Sequence, residues 1–268
     1  MIGWLRRLWA GMVFCASPFL SKPPETSAFT REDVQIGLAL APLRGYAVGM
    51  MVILPFMFLL SVKQLDAMYT RMLLPLLFCV IIEKVTHLRR INDYCRCADA
   101  IHSPSRAIQI MHSSGAPGLT PSGFISTFFL LAGKLLVLYL LGTKFFLTGL
   151  KSDHQLLFDL GLMLVAIPVF AETGMVLLLT GDSRNRSAQA REGMWPLLVA
   201  AVLALPVVVL LVLRGSINEA IVPISLVMFA VFYWKHQADA HLGGPDLRSG
   251  AACYESAELA AMLGFLVI

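Results

Sequence analysis

Charge is what this sequence has least of. Only 14% of its 268 residues are Asp, Glu, Lys or Arg, against 57% hydrophobic, and the mean hydropathy is +0.75. An ordinary soluble domain carries about 25% charged residues, so that class is excluded and an integral membrane protein is expected. The surplus of 21 basic over 17 acidic residues is too small for a nucleic-acid binder. Cysteine is sparse too. Of five, Cys15 and Cys79 sit in apolar runs and Cys253 near the C-terminus, while Cys95 and Cys97 form a C-x-C spacing that rarely suits a disulfide. Reduced thiols facing a cytosol follow. Walker A, nucleophile-elbow and H-E-x-x-H motifs are missing, as are solenoid repeats and low-complexity tracts.

What the chain has is apolar runs. A membrane crossing needs about 20 such residues. Six spans are read: Gly45 to Val62, Arg71 to Lys84, Gly123 to Leu141, Leu156 to Thr180, Trp195 to Leu213 and Ala220 to Trp234, the second being short. Pro42, Pro55, Pro75, Pro168, Pro206 and Pro223 kink or bound them. The opening MIGWLRRLWAGMVFCASPFL begins like a signal peptide but lacks a convincing small-residue cleavage site, and is read as an interfacial helix held by Trp4, Trp9, Arg6 and Arg7. With the N-terminus inside, fifteen Lys and Arg fall on the inner side and five on the outer. Basic loops stay cytoplasmic, so both termini are expected there, in the cytoplasmic (inner) membrane. The fold class is an all-α polytopic bundle of about six transmembrane helices with an N-terminal interfacial helix, a single membrane domain over residues 1–268.

Polar residues in such a chain need a reason. THLRRINDYCRCADAIHS, Thr86 to Ser103, follows the second span; as a helix it puts Arg89, Asp93 and Arg96, at i, i+4 and i+7, on one face. His87, Cys95, Cys97 and His102 match no zinc spacing, which leaves a basic juxtamembrane segment answering anionic headgroups. Lys134, Asp159 and Glu172 lie inside spans, where an ionisable side chain costs several kcal/mol unless paired or facing water. Asp159 and Glu172 are thirteen residues apart, roughly 20 Å along a helix, and Lys134 is a partner for one of them. The two readings are a structural ion pair and a substrate pathway.

Several stretches, read in order, resemble the cobalamin synthases, or adenosylcobinamide-GDP ribazoletransferases. LAPLRGYAVG, Leu40 to Gly49, is similar to the family's F-P-L-x-G-x-x-x-G before its first span. HLRRINDYCRC, His87 to Cys97, falls where the family has H-L-D-G-L-A-D-x-x-D-G; IMHSSG and then AGKLLVL, within Ile110 to Leu138, fall where it has I-M-x-D-S and a lysine-bearing span. LGGPDLRSGAACYESAEL, Leu242 to Leu259, resembles a tail of the form G-G-x-T-G-D-x-x-G-A-x-x-E-x-x-E. The resemblance implies a membrane enzyme that joins α-ribazole to adenosylcobinamide-GDP and releases GMP, with Mg²⁺ held by aspartates against a pyrophosphate.

The aspartates are largely replaced. The family's first and third are Arg89 and Arg96, the glycine beside the first is Arg90, a later aspartate is Ser113, and the tail aspartate is Arg248. Only Asp93 of the first three remains, and an arginine has no lone pair for a metal. By resemblance, Asp93 and His87 are the candidate catalytic residues and Asp93, Glu255 and Glu258 the candidate Mg²⁺ ligands, with Arg89, Arg90 and Arg96 as a phosphate clamp. Residues 87–120 then form a cytoplasmic segment carrying the altered motif. Three functions are weighed: a transferase with a rebuilt site; a catalytically silent relative that binds a corrinoid or nucleotide or serves as a scaffold; and a small transporter using Lys134, Asp159 and Glu172. Expected partners are the lipid bilayer, corrinoid and nucleotide substrates and a second copy of the chain, with no nucleic acid.

Overall fold

The computed structural model describes residues 2–16, 29–61, 78–81, 84, 88–112, 121–147, 153–180 and 194–268. The elements used below are α1 (Ile2–Ala16), α2 (Arg31–Ala39), α3 (Ala41–Ser61), α4 (Arg89–His102), α5 (Ala107–His112), α6 (Pro121–Leu147), α7 (Asp153–Thr180), α8 (Trp195–Arg214), α9 (Ile217–Gln237) and α10 (Leu247–Val267). Among the described residues there is no strand. In hydrocarbon every backbone N–H and C=O must be satisfied within its own segment, and for these runs of Leu, Val, Ala and Phe the helix does so.

Five segments are long and apolar enough to cross a membrane: Pro121–Lys144, Phe158–Thr180, Trp195–Arg214, Ile217–Leu242 and Leu247–Val267. A sixth is the pair α2 and α3 up to Pro55, bent by 47°. The chain is an all-α polytopic membrane protein. Of the spans read from sequence, the first lies in α3, and the third to sixth lie in α6, α7, α8 and α9. Arg71 to Lys84 falls mostly outside the described residues. One reading is corrected: the stretch after Trp234, taken for a tail, contains α10, a helix of span length. Its hydropathy of 1.2 is the lowest of the five. Glu255, Glu258 and Tyr254 lower that value, and all three are turned inward and buried.

Helix α1, at 15 residues, is shorter than a crossing needs. It packs on α2 and leaves Leu5, Trp9 and Met12 exposed along one side. The side chain of Trp4 lies outside the described residues. Thr30 closes the start of α2 with a reciprocal capping box to Asp33. A π turn at Ala238–Leu242 ends α9, and the chain reverses into α10 on Gly243 and Gly244, whose φ of +79° and +114° suit glycine.

Helix α7 is the axis of the bundle. Of its most apolar stretch 78% is buried, against 28% for α6 and for α8. It packs against α3, α8, α9 and α10. Its closest approach is to α3, where Gly45 and Gly49 make a G-x-x-x-G pair. A Cβ at Gly45 would stand 2.7 Å from the Val169 Cα, and one at Gly49 2.7 Å from the Val165 Cα. Backbone faces backbone there, the small-residue packing that membrane helices use. Helix α7 continues past Pro168, whose carbonyl carbon would be 2.9 Å from a Cβ at Gly45. A substitution Gly45→Val therefore forces α3 off α7, and we expect it to lower the stability of the detergent-solubilised protein by about 2–4 kcal/mol. At Gly161, by contrast, a Cβ meets only the Ile53 Cδ1 at 3.6 Å. Gly161→Ala should leave the thermal unfolding midpoint unchanged or raised.

Candidate functional site

Six charged side chains buried in the bundle are joined in one chain of contacts. Arg44, on α3 one residue before the first close-packed glycine, reaches Glu172 on α7: its Nε donates to Oε1 at 2.6 Å and its second guanidinium nitrogen donates to Oε2. Arg90, at the start of α4, donates to the same Oε1 at 2.5 Å. The Arg90 guanidinium also lies over the Tyr254 ring, 3.6 Å from its centroid. The Tyr254 hydroxyl donates to Glu258 Oε1 at 3.1 Å. Lys134, on α6, completes the chain, donating to Glu258 Oε2 at 2.5 Å and to Glu255 Oε2. Five helices are thereby tied.

All six ionic groups are at least 92% buried. Three formal positive charges meet three negative ones, so the cluster is neutral as a whole. Neutrality matters because a lone charge in such surroundings costs several kcal/mol.

Helix α4 is held at its other end by Asp99, whose Oδ1 accepts from the Gly123 N–H at 2.6 Å and the Ser122 hydroxyl at 3.2 Å, both in the first turn of α6. A carboxylate is favoured where unsatisfied helix amides point. The spacing expectation for this stretch holds in part. Residues 89, 93 and 96 do lie on one helix, but Arg90 and Arg96 are buried against α6 and α10, so the segment is not a strip lying open to lipid headgroups.

Asp93 lies in the field of Arg248, Arg96, Arg89 and Asp246. Burial raises its carboxyl pKa to about 6, and the arginines oppose that rise. Cys95 and Cys97 are free thiols, and burial raises the pKa of both, which suits packing and not thiolate chemistry. His87 and Ser113 lie outside the described residues.

Several sequence expectations are redrawn. Lys134 does not pair with Asp159 or Glu172. Asp159 meets Arg214 at 3.4 Å, with the Arg214 guanidinium over the Phe158 ring, and Glu172 is taken by two arginines. The clamp of Arg89, Arg90 and Arg96 is broken up, because Arg90 is spent on Glu172 and Tyr254. The proposed ligands Asp93, Glu255 and Glu258 do not converge: among the described residues no group of three His, Cys, Asp or Glu side chains is placed to hold a metal. A lysine stands between the two glutamates instead. This donor set does not fit Mg²⁺, which wants oxygen ligands and repels an ammonium. Sequence reasoning missed Arg44 and Tyr254 altogether. The signal for Arg44 was present, a cation next to G-x-x-x-G at the head of a span, with an unmatched glutamate in a later one.

Replacing Glu172 with Gln should cost about 3–5 kcal/mol of stability, since it leaves Arg44 and Arg90 buried without their counter-charge. Thermal unfolding in detergent measures it. The triple change Arg44→Met, Arg90→Met and Glu172→Met should recover most of that loss. Asp93 makes a separate pH prediction. A carboxyl whose folded pKa stands above its unfolded value binds a proton on folding, so stability falls as pH rises from about 4 through about 6. Asp93→Asn should flatten that slope in melts taken between those pH values.

Comparison with known proteins places the molecule. Residues 12–265 match the family model of cobalamin-5-phosphate synthase. No curated protein and no solved structure matched the chain. The matched stretch includes every residue of the buried ionic chain, from Arg44 to Glu258, and nearly the whole molecule, so this chain belongs to the cobalamin-5-phosphate synthase family of membrane transferases.

Proposed function

We propose that this protein is a catalytically silent member of its family, a membrane protein of cobalamin biosynthesis that binds a corrinoid or its nucleotide but no longer carries out Mg²⁺-dependent transfer of α-ribazole. The observation that supports this is the set of guanidinium groups around Asp93: Arg89, Arg96 and Arg248 stand at positions that hold aspartate in the resemblance, and all three act on Asp93. An arginine has no lone pair to give a metal, so this face lacks the ligands for a cation that would neutralise charge on a leaving phosphate.

A second reading has one observation in its favour. Arg89, Arg96 and Arg248 all act on Asp93, and guanidinium groups gathered at one place are able to grip a pyrophosphate. That site would be a transferase working with arginines in place of the cation. The transporter reading has less support: Asp159 pairs with Arg214, apart from the buried chain that holds Lys134 and Glu172, so the three residues do not form one set.

The N-terminal segment with Arg6, Arg7, Arg31 and Arg44 is assigned to the cytoplasmic side by the balance of basic residues. Counted with the six spans read from sequence, α10 makes a seventh crossing, and on that count Ile268 lies on the face opposite the N-terminus instead of the cytoplasmic side expected from sequence. Arg248, at its start, stays on the cytoplasmic side with Arg89 and Arg96.

The test uses purified protein in nanodiscs with adenosylcobinamide-GDP and α-ribazole, with and without Mg²⁺, followed by chromatography for GMP and the joined corrinoid. The expected outcome is binding of the corrinoid substrate with neither product formed. Product that is independent of Mg²⁺ and lost in Arg96→Gln would establish the arginine-based transferase. Product that requires Mg²⁺ would overturn both readings.

A further inference from the structure

We propose that the cleft between α1 and the start of α2 holds the phosphate of an anionic membrane lipid. The cleft has a volume of about 620 Å³, within the range of small-molecule sites, and Arg6, Arg7, Ala10, Arg31 and Glu32 line it. Three guanidinium groups from two helices thus face one space, and only one of them is neutralised: Arg7 pairs with Glu32. Asp33, the other acid there, is committed to the Thr30 capping box. Among the described residues Arg6 and Arg31 form no ion pair, and both are exposed. The start of α2 is closed by its own cap and is not counted as part of the site.

A second feature sets the depth of the cleft. Leu5, Trp9 and Met12, at i, i+4 and i+7 of α1, are 54%, 66% and 41% exposed, an apolar strip without a protein partner among the described residues. In a membrane protein such a strip rests among acyl chains at the interface, with the indole of Trp9 at headgroup level. Arginines on the same short helix then stand at the height of lipid phosphates. Each guanidinium can grip a phosphate through two parallel N–H···O bonds, and a phosphodiester carrying an acyl tail satisfies cleft and strip together. Free phosphate would satisfy only the cleft.

The measurement is native mass spectrometry of the full chain in a mild detergent, titrated with phosphatidylglycerol, phosphatidylcholine or inorganic phosphate. Phosphatidylglycerol should stay bound several-fold more than phosphatidylcholine. At about 1 kcal/mol per arginine near a lipid surface, Arg31→Gln should weaken retention about fivefold and Arg6→Gln with Arg31→Gln at least tenfold. Arg106→Gln removes an exposed arginine elsewhere and should change nothing. Equal retention of the two lipids, or equal losses in the Arg106 and Arg31 variants, would overturn the proposal. Competition by inorganic phosphate at the same concentration as the lipid would assign the cleft to a soluble phosphate and overturn the lipid reading. The replaced arginines are exposed, so an unchanged unfolding midpoint separates lost binding from lost folding.

Discussion

Six buried ionic groups must add up to no charge, and the arrangement of the bundle answers to that requirement. Arg44 on α3, Arg90 on α4, Lys134 on α6, Glu172 on α7 and the glutamates of α10 each satisfy a residue from another helix. A shift of one helical turn, about 5.4 Å, would open at least one of these pairs. The register of α3 against α7 is set twice, by the bidentate contact of Arg44 with Glu172 and by the backbone approach at Gly45 and Gly49. The two are coupled, since only glycine lets α3 come close enough for the guanidinium to reach a carboxylate in the middle of α7. Sheer apolar packing would tolerate sliding; a neutral ionic cluster does not.

The same cluster carries its own counter-charge. A carboxylate buried in a bundle needs a cation beside it or takes up a proton. Here the counter-charge comes from the polypeptide: a lysine between two glutamates, two arginines about a third, and arginines at the surface end around Asp93. The bundle is thereby stable without a bound ion. A tethered ammonium, unlike a bound ion, cannot leave, so this counter-charge is a fixed part of the bundle.

Much of this architecture was legible in the sequence. The apolar runs of α3, α6, α7, α8 and α9 declare themselves because their outer faces must be as greasy as lipid. Helix α10 does not, since its polar residues point inward and depress its hydropathy, and a linear average cannot tell an inward glutamate from a solvent-facing one. Arginines at positions 89, 96 and 248, where the resemblance has aspartate, were also plain to read. The partners were not. Arg44 and Glu172 are separated by 128 residues, and nothing local distinguishes Glu172 with two arginines from Glu172 with a lysine. Pairing is decided by which helices are neighbours, a property of the packed bundle.

Synthesis imposes an order on these pairs. Lys134 is made 121 residues before Glu255, and Arg44 128 residues before Glu172. At roughly 5–20 residues per second, α6 exists for about 6–24 s before its counter-ions emerge. During that interval the ammonium has to remain at the interface or be shielded by another protein, and α6 can settle to its final depth only when α10 arrives. A chain that stops short of α10 therefore keeps a buried cation exposed to hydrocarbon. Such a product carries its own mark of incompleteness, one that membrane quality control can read as misplaced charge.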